Sequence, residues 1–403
     1  MSIIEKVKQA IIALEANIQA LALAGSMIAF ASSSLIPVIQ PFISQLVKES
    51  HIALGGILSA ASLASSLISV VGGLLADKYG RKLILILGIV SCSIGAIVYF
   101  KTETIPELLI AVFLSAVGTS IILSTMTAMT AESVAGRRRA SAFSYIEMLR
   151  AVGSVFGPII GWLMWLFYGI KSPFLFAFTM YLLSLIGVFL LLKETHKGEK
   201  HTRTFPWKLS EIKQIHHSLP DSRSLYMLVL AQIIISFGVS IGGSISIQYA
   251  LETIGAKYEL GIIVSLPTAI SIIVMIYAAM ITDRVGRIPP LLAHEILVVA
   301  TQFGYALAQA PIHLILVSIL GGIGTIGVPG FRALQTELMP QEHRVKLLSL
   351  YSFISVLAAT PGPLISGLLW DSIGPRMMFV ISGFLVIPTA IVVYTSVKET
   401  LRK

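Results

Sequence analysis

Long apolar stretches separated by short polar ones set the pattern of this chain from residue 19 almost to its end. A helix that crosses lipid needs roughly 20 apolar residues, because each adds about 1.5 Å against a hydrocarbon core of about 30 Å. Twelve runs meet that requirement: 19–46, 53–76, 83–100, 108–130, 141–168 and 173–192 in the first half, then 224–250, 258–281, 289–309, 312–335, 346–370 and 377–396 in the second. The pattern predicts an all-α polytopic membrane protein with twelve transmembrane helices. Ahead of the first run, Ile3, Ile4, Val7, Ile11 and Leu14 recur at helical spacing among Glu5, Lys6 and Lys8, which predicts an amphipathic cytoplasmic helix over 1–18. So charged a start lacks the unbroken apolar core of a cleaved signal peptide. Residues 193–223 mix Lys, Glu, His and Pro and read as a cytoplasmic central loop. This loop separates a six-helix bundle at 19–192 from a second at 224–397, and 398–403 form a tail.

Composition excludes a soluble domain, since 56% of residues are hydrophobic and only 12% charged, against about 25% charged in soluble proteins. The net charge of +9 would suit nucleic acid if the basic residues formed a stripe interleaved with aromatics, and they do not. They fill alternate connections instead: Lys78, Arg81 and Lys82, Arg137 to Arg139, seven in the central loop, then Arg284, Arg287, Arg344 and Lys346. The opposite connections hold five, Lys48, Lys101, Lys171, Lys257 and Arg376. By the positive-inside rule both termini are cytoplasmic. Asn17 is the sole asparagine, so there is no glycosylation sequon, and a prokaryotic cell membrane is the expected location. Cys92, the only cysteine, gives neither a disulfide framework nor a zinc spacing, and no metal or cofactor is expected. An HExxH pair, a nucleophile beside a base within a span and a phosphate-cradling loop are all missing, so neither an enzyme nor direct ATP coupling is expected.

The halves repeat each other. Residues 73–82 read GLLADKYGRK and 283–287 read DRVGR, so Asp77, Gly80 and Arg81 return 206 positions later as Asp283, Gly286 and Arg287. At an offset of 205, Glu132 and Arg139 return as Glu337 and Arg344, Gly157-Pro158 as Gly362-Pro363, and Lys193-Glu194-Thr195 as Lys398-Glu399-Thr400. Two parallel six-helix repeats are an arrangement in which transporters keep their site near the membrane centre. With the ten residues from Gly73 to Lys82 placed between the second and third runs, the chain resembles the major facilitator superfamily over essentially its whole length.

That resemblance implies alternating access between two pseudo-symmetric bundles in a functional monomer. It also implies a cytoplasmic gate built from Asp77, Arg81, Glu132 and Arg139 and from Asp283, Arg287, Glu337 and Arg344. In the family the residue matching Asp77 lies against the eleventh helix of the other half; the plainer reading is that these charges set topology and cap helices. Gly153, Gly157, Pro158 and Gly161 in the fifth run make a small face with a proline kink, repeated at Gly362 and Pro363. The face resembles the antiporter signature of drug exporters, except that Trp162 stands where a second glycine is usual.

Two charges fall within the fifth run. Glu147 and Arg150 lie roughly 9 and 14 Å from its start by helical rise, and a charge near the midplane costs about 2.5–3.5 kcal/mol on insertion scales. Three apart, they share a face and can pair. Either Glu147 carries a proton while Arg150 holds an anionic group or tunes Glu147, or the two form a structural ion pair. His294 and Glu295, near the start of the ninth run, are expected at the headgroup boundary. In the family the first, fourth, seventh and tenth helices line the cavity, which makes candidates of Ser33, Gln40, Thr125, Thr127, Gln232, Ser236, Ser240 and Ser244, the last four a polar stripe at four-residue steps. The function expected is secondary active transport of a small-molecule substrate: proton-coupled efflux of hydrophobic compounds or drugs. Proton-coupled uptake of a sugar or organic anion is the alternative, and a non-transporting sensor a distant one. Protons and membrane lipids are the other expected partners.

Overall fold

A computed structural model of the chain describes residues 16–134, 139–195, 219 and 221–400. The expected interfacial helix lies outside them apart from residues 16–18, which already belong to the first membrane span; most of the central loop also lies outside. Twelve helical spans are long and apolar enough to cross a membrane. The first six are Ala16–Leu46, His51–Tyr79, Arg81–Lys101, Ile105–Glu132, Arg139–Tyr168 and Ser172–Leu191. The next are Ser222–Glu252, Leu260–Val285, Ile288–Leu307 and Pro311–Glu337, then the eleventh, beginning at Arg344 and ending at Ile373, and Pro375–Ser396. No strand occurs among the described residues. Every span lies within a few residues of its expected place.

Local chemistry sets the ends. Thr104 and Glu107 form a reciprocal capping box at the fourth span, with Pro106 in its first turn. Asp221 caps the seventh, accepting from the Ser224 backbone N–H at 3.1 Å and from its hydroxyl at 2.9 Å. The tight joins after the second and eighth spans use Gly80 at φ 101° and Gly286 at φ 119°, values that side-chain-bearing residues rarely adopt. Four spans are interrupted: the first at Leu35, the seventh at Ser244 and Ile245, the tenth by a 3-10 turn at Gly324–Gly327, and the eleventh around Thr360.

The described residues form two compact units, 16–38 with 64–195, and 39–63 with 219–400. Within the first, the fifth span packs against the first through its small face. A Cβ on Gly153 would stand 2.7 Å from both Ser26 O and Phe30 N, and one on Gly157 would stand 2.8 Å from Ser33 Cβ. Small residues let these backbones approach, the usual device where lipid offers no hydrophobic drive to association. Cys92 is buried, as its apolar run suggests. In the second unit an apolar core of Leu225, Leu228, Leu291, Leu334 and Val393 joins the seventh, ninth, tenth and twelfth spans. Gly362 presses on Ser240, so the repeated glycine-proline step is a packing contact here too.

Candidate functional site

The first unit encloses a cavity of about 140 Å³ where the first, fourth, fifth and sixth spans meet. Ile28, Ile122, Met126, Phe143, Ile146 and Tyr181 give it apolar and aromatic walls. Ser32 and Thr127 add hydroxyls, and Glu147 and Arg150 bring its only charges. Arg150 Nη1 donates to Glu147 Oε1 at 2.7 Å, the i, i+3 pairing anticipated from spacing. The carboxylate side chain is 62% exposed and the guanidinium 31%. The pair therefore opens onto space that a solute or water can enter, and the surrounding wall is the kind that binds organic compounds.

At one end of each unit the repeated charges close into a circuit. Arg81 Nη2 lies 2.6 Å from Asp77 Oδ1 and 2.9 Å from Glu132 Oε1, and Arg81 is only 8% exposed. Thr195 donates its hydroxyl to Glu132 at 2.8 Å. Glu194 accepts from the backbone N–H groups of Arg81 and Lys82, both at 3.0 Å, and so caps the start of the third span. The second unit repeats this. Arg287 reaches Asp283 at 2.9 Å and Glu337 at 3.2 Å. Thr400 donates to Glu337, and Glu399 accepts from the N–H groups of Arg287 at 2.8 Å and Ile288 at 3.1 Å. Sequence reading registered the Lys-Glu-Thr repeat but not this capping role. Arg139 opens the fifth span with its side chain outside the described set, and Arg344 opens the eleventh.

The remaining candidates scatter. Thr127 lines the first-unit cavity, whereas Thr125 is fully buried and Ser33 is packed at Gly157. Gln40 accepts from the Gln248 backbone N–H at 3.2 Å. The polar stripe of the seventh span divides: Gln232 lines a small second-unit cavity and donates to Ser236 at 2.7 Å. Ser240 donates to Ala359 O at 2.7 Å, and Ser244 donates back to Ser240 O. Glu295 corrects the expectation of a headgroup position. It is 3% exposed, because its face of the ninth span turns to the twelfth and not to lipid. A cluster missed from sequence joins His51 Nδ1 to Asp371 at 2.7 Å and Nε2 to Glu252 at 2.9 Å, the ring stacked on Trp370 at 4.2 Å. Its members are 201 and 320 residues apart from His51, and only the fold unites them.

Twelve spans in two units with matching internal charge circuits, interrupted helices and a partly polar cavity between apolar spans define a secondary transporter. The Major Facilitator Superfamily profile matches residues 21–319 and 228–403, and the chain belongs to that superfamily of membrane transporters. It is 24% identical over 373 residues to the multi-drug resistance efflux pump PmrA of Streptococcus pneumoniae serotype 4 (strain ATCC BAA-334 / TIGR4), covering 88% of this chain and 90% of that protein. Its fold is that of the D-xylose-proton symporter, at a TM-score of 0.73 and 18% identity over 96% of this chain and 98% of that one. A POT family transporter in complex with 5-aminolevulinic acid aligns at a TM-score of 0.77 and 15% identity, over 94% and 95%.

Proposed function

We propose that this transporter couples proton entry to the export of small hydrophobic organic compounds from a prokaryotic cell, working as a monomer with both termini cytoplasmic. The observation that carries the reading is the first-unit cavity, whose apolar and aromatic wall surrounds one carboxylate and its guanidinium partner. Such a wall accepts varied hydrophobic shapes through dispersion and burial, while a single charged pair gives a protonation step something to act on. The name of the pneumococcal relative supports export, and the distribution of Lys and Arg supports the orientation. In this reading the six-helix bundles at 19–192 and 224–397, joined by the central loop, give the substrate alternating access to the two sides of the membrane. The Arg81 and Arg287 circuits, together with Arg139 and Arg344 by the repeat of charges in the sequence, form the cytoplasmic gate, and protonation of Glu147 frees Arg150 and changes the cavity's affinity.

The test uses proteoliposomes and a fluorescent lipophilic cation. Glu147→Gln should abolish accumulation driven by a pH gradient yet keep exchange at equal concentrations, since exchange needs the cavity to alternate but not to protonate. A charge-swapped Glu147→Arg, Arg150→Glu protein that regains full gradient-driven transport would make the pair structural. Full accumulation by a stable Glu147→Gln protein would remove Glu147 from coupling.

A further inference from the structure

Glu295 sits about 10 Å along the ninth span from its start at Ile288, inside the second unit and remote in sequence from the Glu147 pair. Four spans converge on it. Gln232 of the seventh, Phe331 of the tenth, Val393 of the twelfth and Glu295 itself line a cavity of about 50 Å³, enough for one or two waters. Among the described residues Glu295 makes no ion pair. The titratable groups beside it are His294, its neighbour in the chain, and Tyr351 of the eleventh span. His294 Nδ1 lies 2.6 Å from the Gly324 carbonyl, an acceptor only, which fixes a proton on Nδ1 and directs that bond away from Glu295.

Burial without a cation partner favours the neutral form of Glu295, because an isolated buried carboxylate is costly, and the contacts at Thr389 accommodate that form. Thr389 Oγ1 lies 2.5 Å from Glu295 Oε2 and 2.6 Å from the Val386 carbonyl. A hydroxyl has one hydrogen, which either of these two acceptors can take in full. If the hydrogen goes to Glu295, two oxygens with no proton between them face each other at Val386. When the carboxyl is protonated, both contacts are hydrogen bonds: Glu295 donates to Thr389, and Thr389 donates to Val386.

We propose that Glu295 is a second proton-binding site of this transporter, neutral in the conformation described here and discharged into the Gln232 cavity. On discharge the Glu295 O–H bond breaks and its proton passes to a cavity water. The Thr389 hydroxyl then turns from Val386 to the carboxylate. His294 holds Gly324 at the 3-10 turn that interrupts the tenth span, and such a mid-helix turn is a common hinge. Proton occupancy at Glu295 therefore lies one residue from the side chain that holds this turn. That coupling role rests on the proton-driven reading above, whereas proton binding itself does not.

Infrared difference spectra of the purified transporter, recorded between neutral and alkaline pH, test the site. The wild type should show a protonated-carboxyl stretch that shifts in heavy water and disappears at high pH. Glu295→Gln, which keeps the donor geometry of the neutral acid, should lack that band. Thr389→Val, which removes its acceptor, should move the band to higher frequency. A spectrum identical in wild type and Glu295→Gln at every pH overturns the proposal, and so does a band unmoved in Thr389→Val should Glu295→Gln fail to fold. If wild-type transport ignores a pH gradient while the band behaves as stated, the proton-driven reading fails and the binding site stands.

Discussion

Gly161→Ala probes the contact that shapes the first-unit cavity, and its cost follows from the geometry. An added Cβ would stand 2.7 Å from the Ser34 carbonyl carbon and 2.9 Å from its Cα, and nearer still to the carbonyl oxygen. These are backbone atoms, so no rotamer change relieves the overlap. Ordinary contact needs about 3.4 Å or more; the carbonyl carbon alone asks the first and fifth spans to part by about 0.7 Å, and the nearer oxygen asks for more. Overpacking of this kind costs about 1–3 kcal/mol, while replacing glycine by alanine within a helix returns about 0.5–1 kcal/mol. The midpoints of these ranges give a net loss of about 1 kcal/mol. Gly187 in the sixth span supplies the control, because a Cβ there meets nothing within 4 Å; Gly187→Ala should stabilise by about 0.5–1 kcal/mol. The assay is built into the chain: Cys92 is 1% exposed, so a thiol-reactive dye reports unfolding on heating in detergent. The reasoning is refuted if Gly161→Ala melts at or above the wild-type temperature, or if the two variants shift in the same direction.

Two further substitutions test other parts of the structure. Asp221→Ala should cost about 1 kcal/mol at neutral pH by removing the cap of the seventh span. The Ser224 backbone N–H and then its hydroxyl, donating to the carboxylate, hold Asp221 below the usual aspartate range. A depressed carboxylate stabilises above its unfolded value, so the gap between Asp221→Ala and wild type should close as pH falls into the acid range; a gap independent of pH would contradict this. His51→Phe keeps a ring against Trp370 but removes the bonds to Glu252 and Asp371. It should lower stability by about 1–3 kcal/mol in the same thiol assay, and an unchanged melting temperature would show that the cluster contributes nothing.

The spans were legible because lipid imposes a long uniform signal: some 20 apolar residues cannot be concealed, and tight joins need glycine, as at Gly80 and Gly286. Glu147 and Arg150 were legible for the related reason that charge stands out in such a run. What sequence could not convey is which way a helix faces. Glu295 lies near a span end, where headgroups are the ordinary neighbours, and only packing against Thr389 puts it inside. The seventh-span serines share a face by spacing, yet the hydroxyls of Ser240 and Ser244 find backbone carbonyls. Glu194 and Glu399 left a trace as repeats, but a cap supplied from 112 or 113 residues away has no local signature.

That distance bears on how the protein is made. A ribosome adds about 5–20 residues per second, so Glu194 follows Arg81 by roughly 6–23 s. Throughout that interval the Arg81 and Lys82 backbone N–H groups at the start of the third span lack the carboxylate that will cap them. Only when the sixth span has been delivered does the first half complete its own circuit, and the ninth span waits in the same way for Glu399. Each half is thus closed by a carboxylate that follows its sixth helix, and a chain cut short at Val397 would leave the second circuit open.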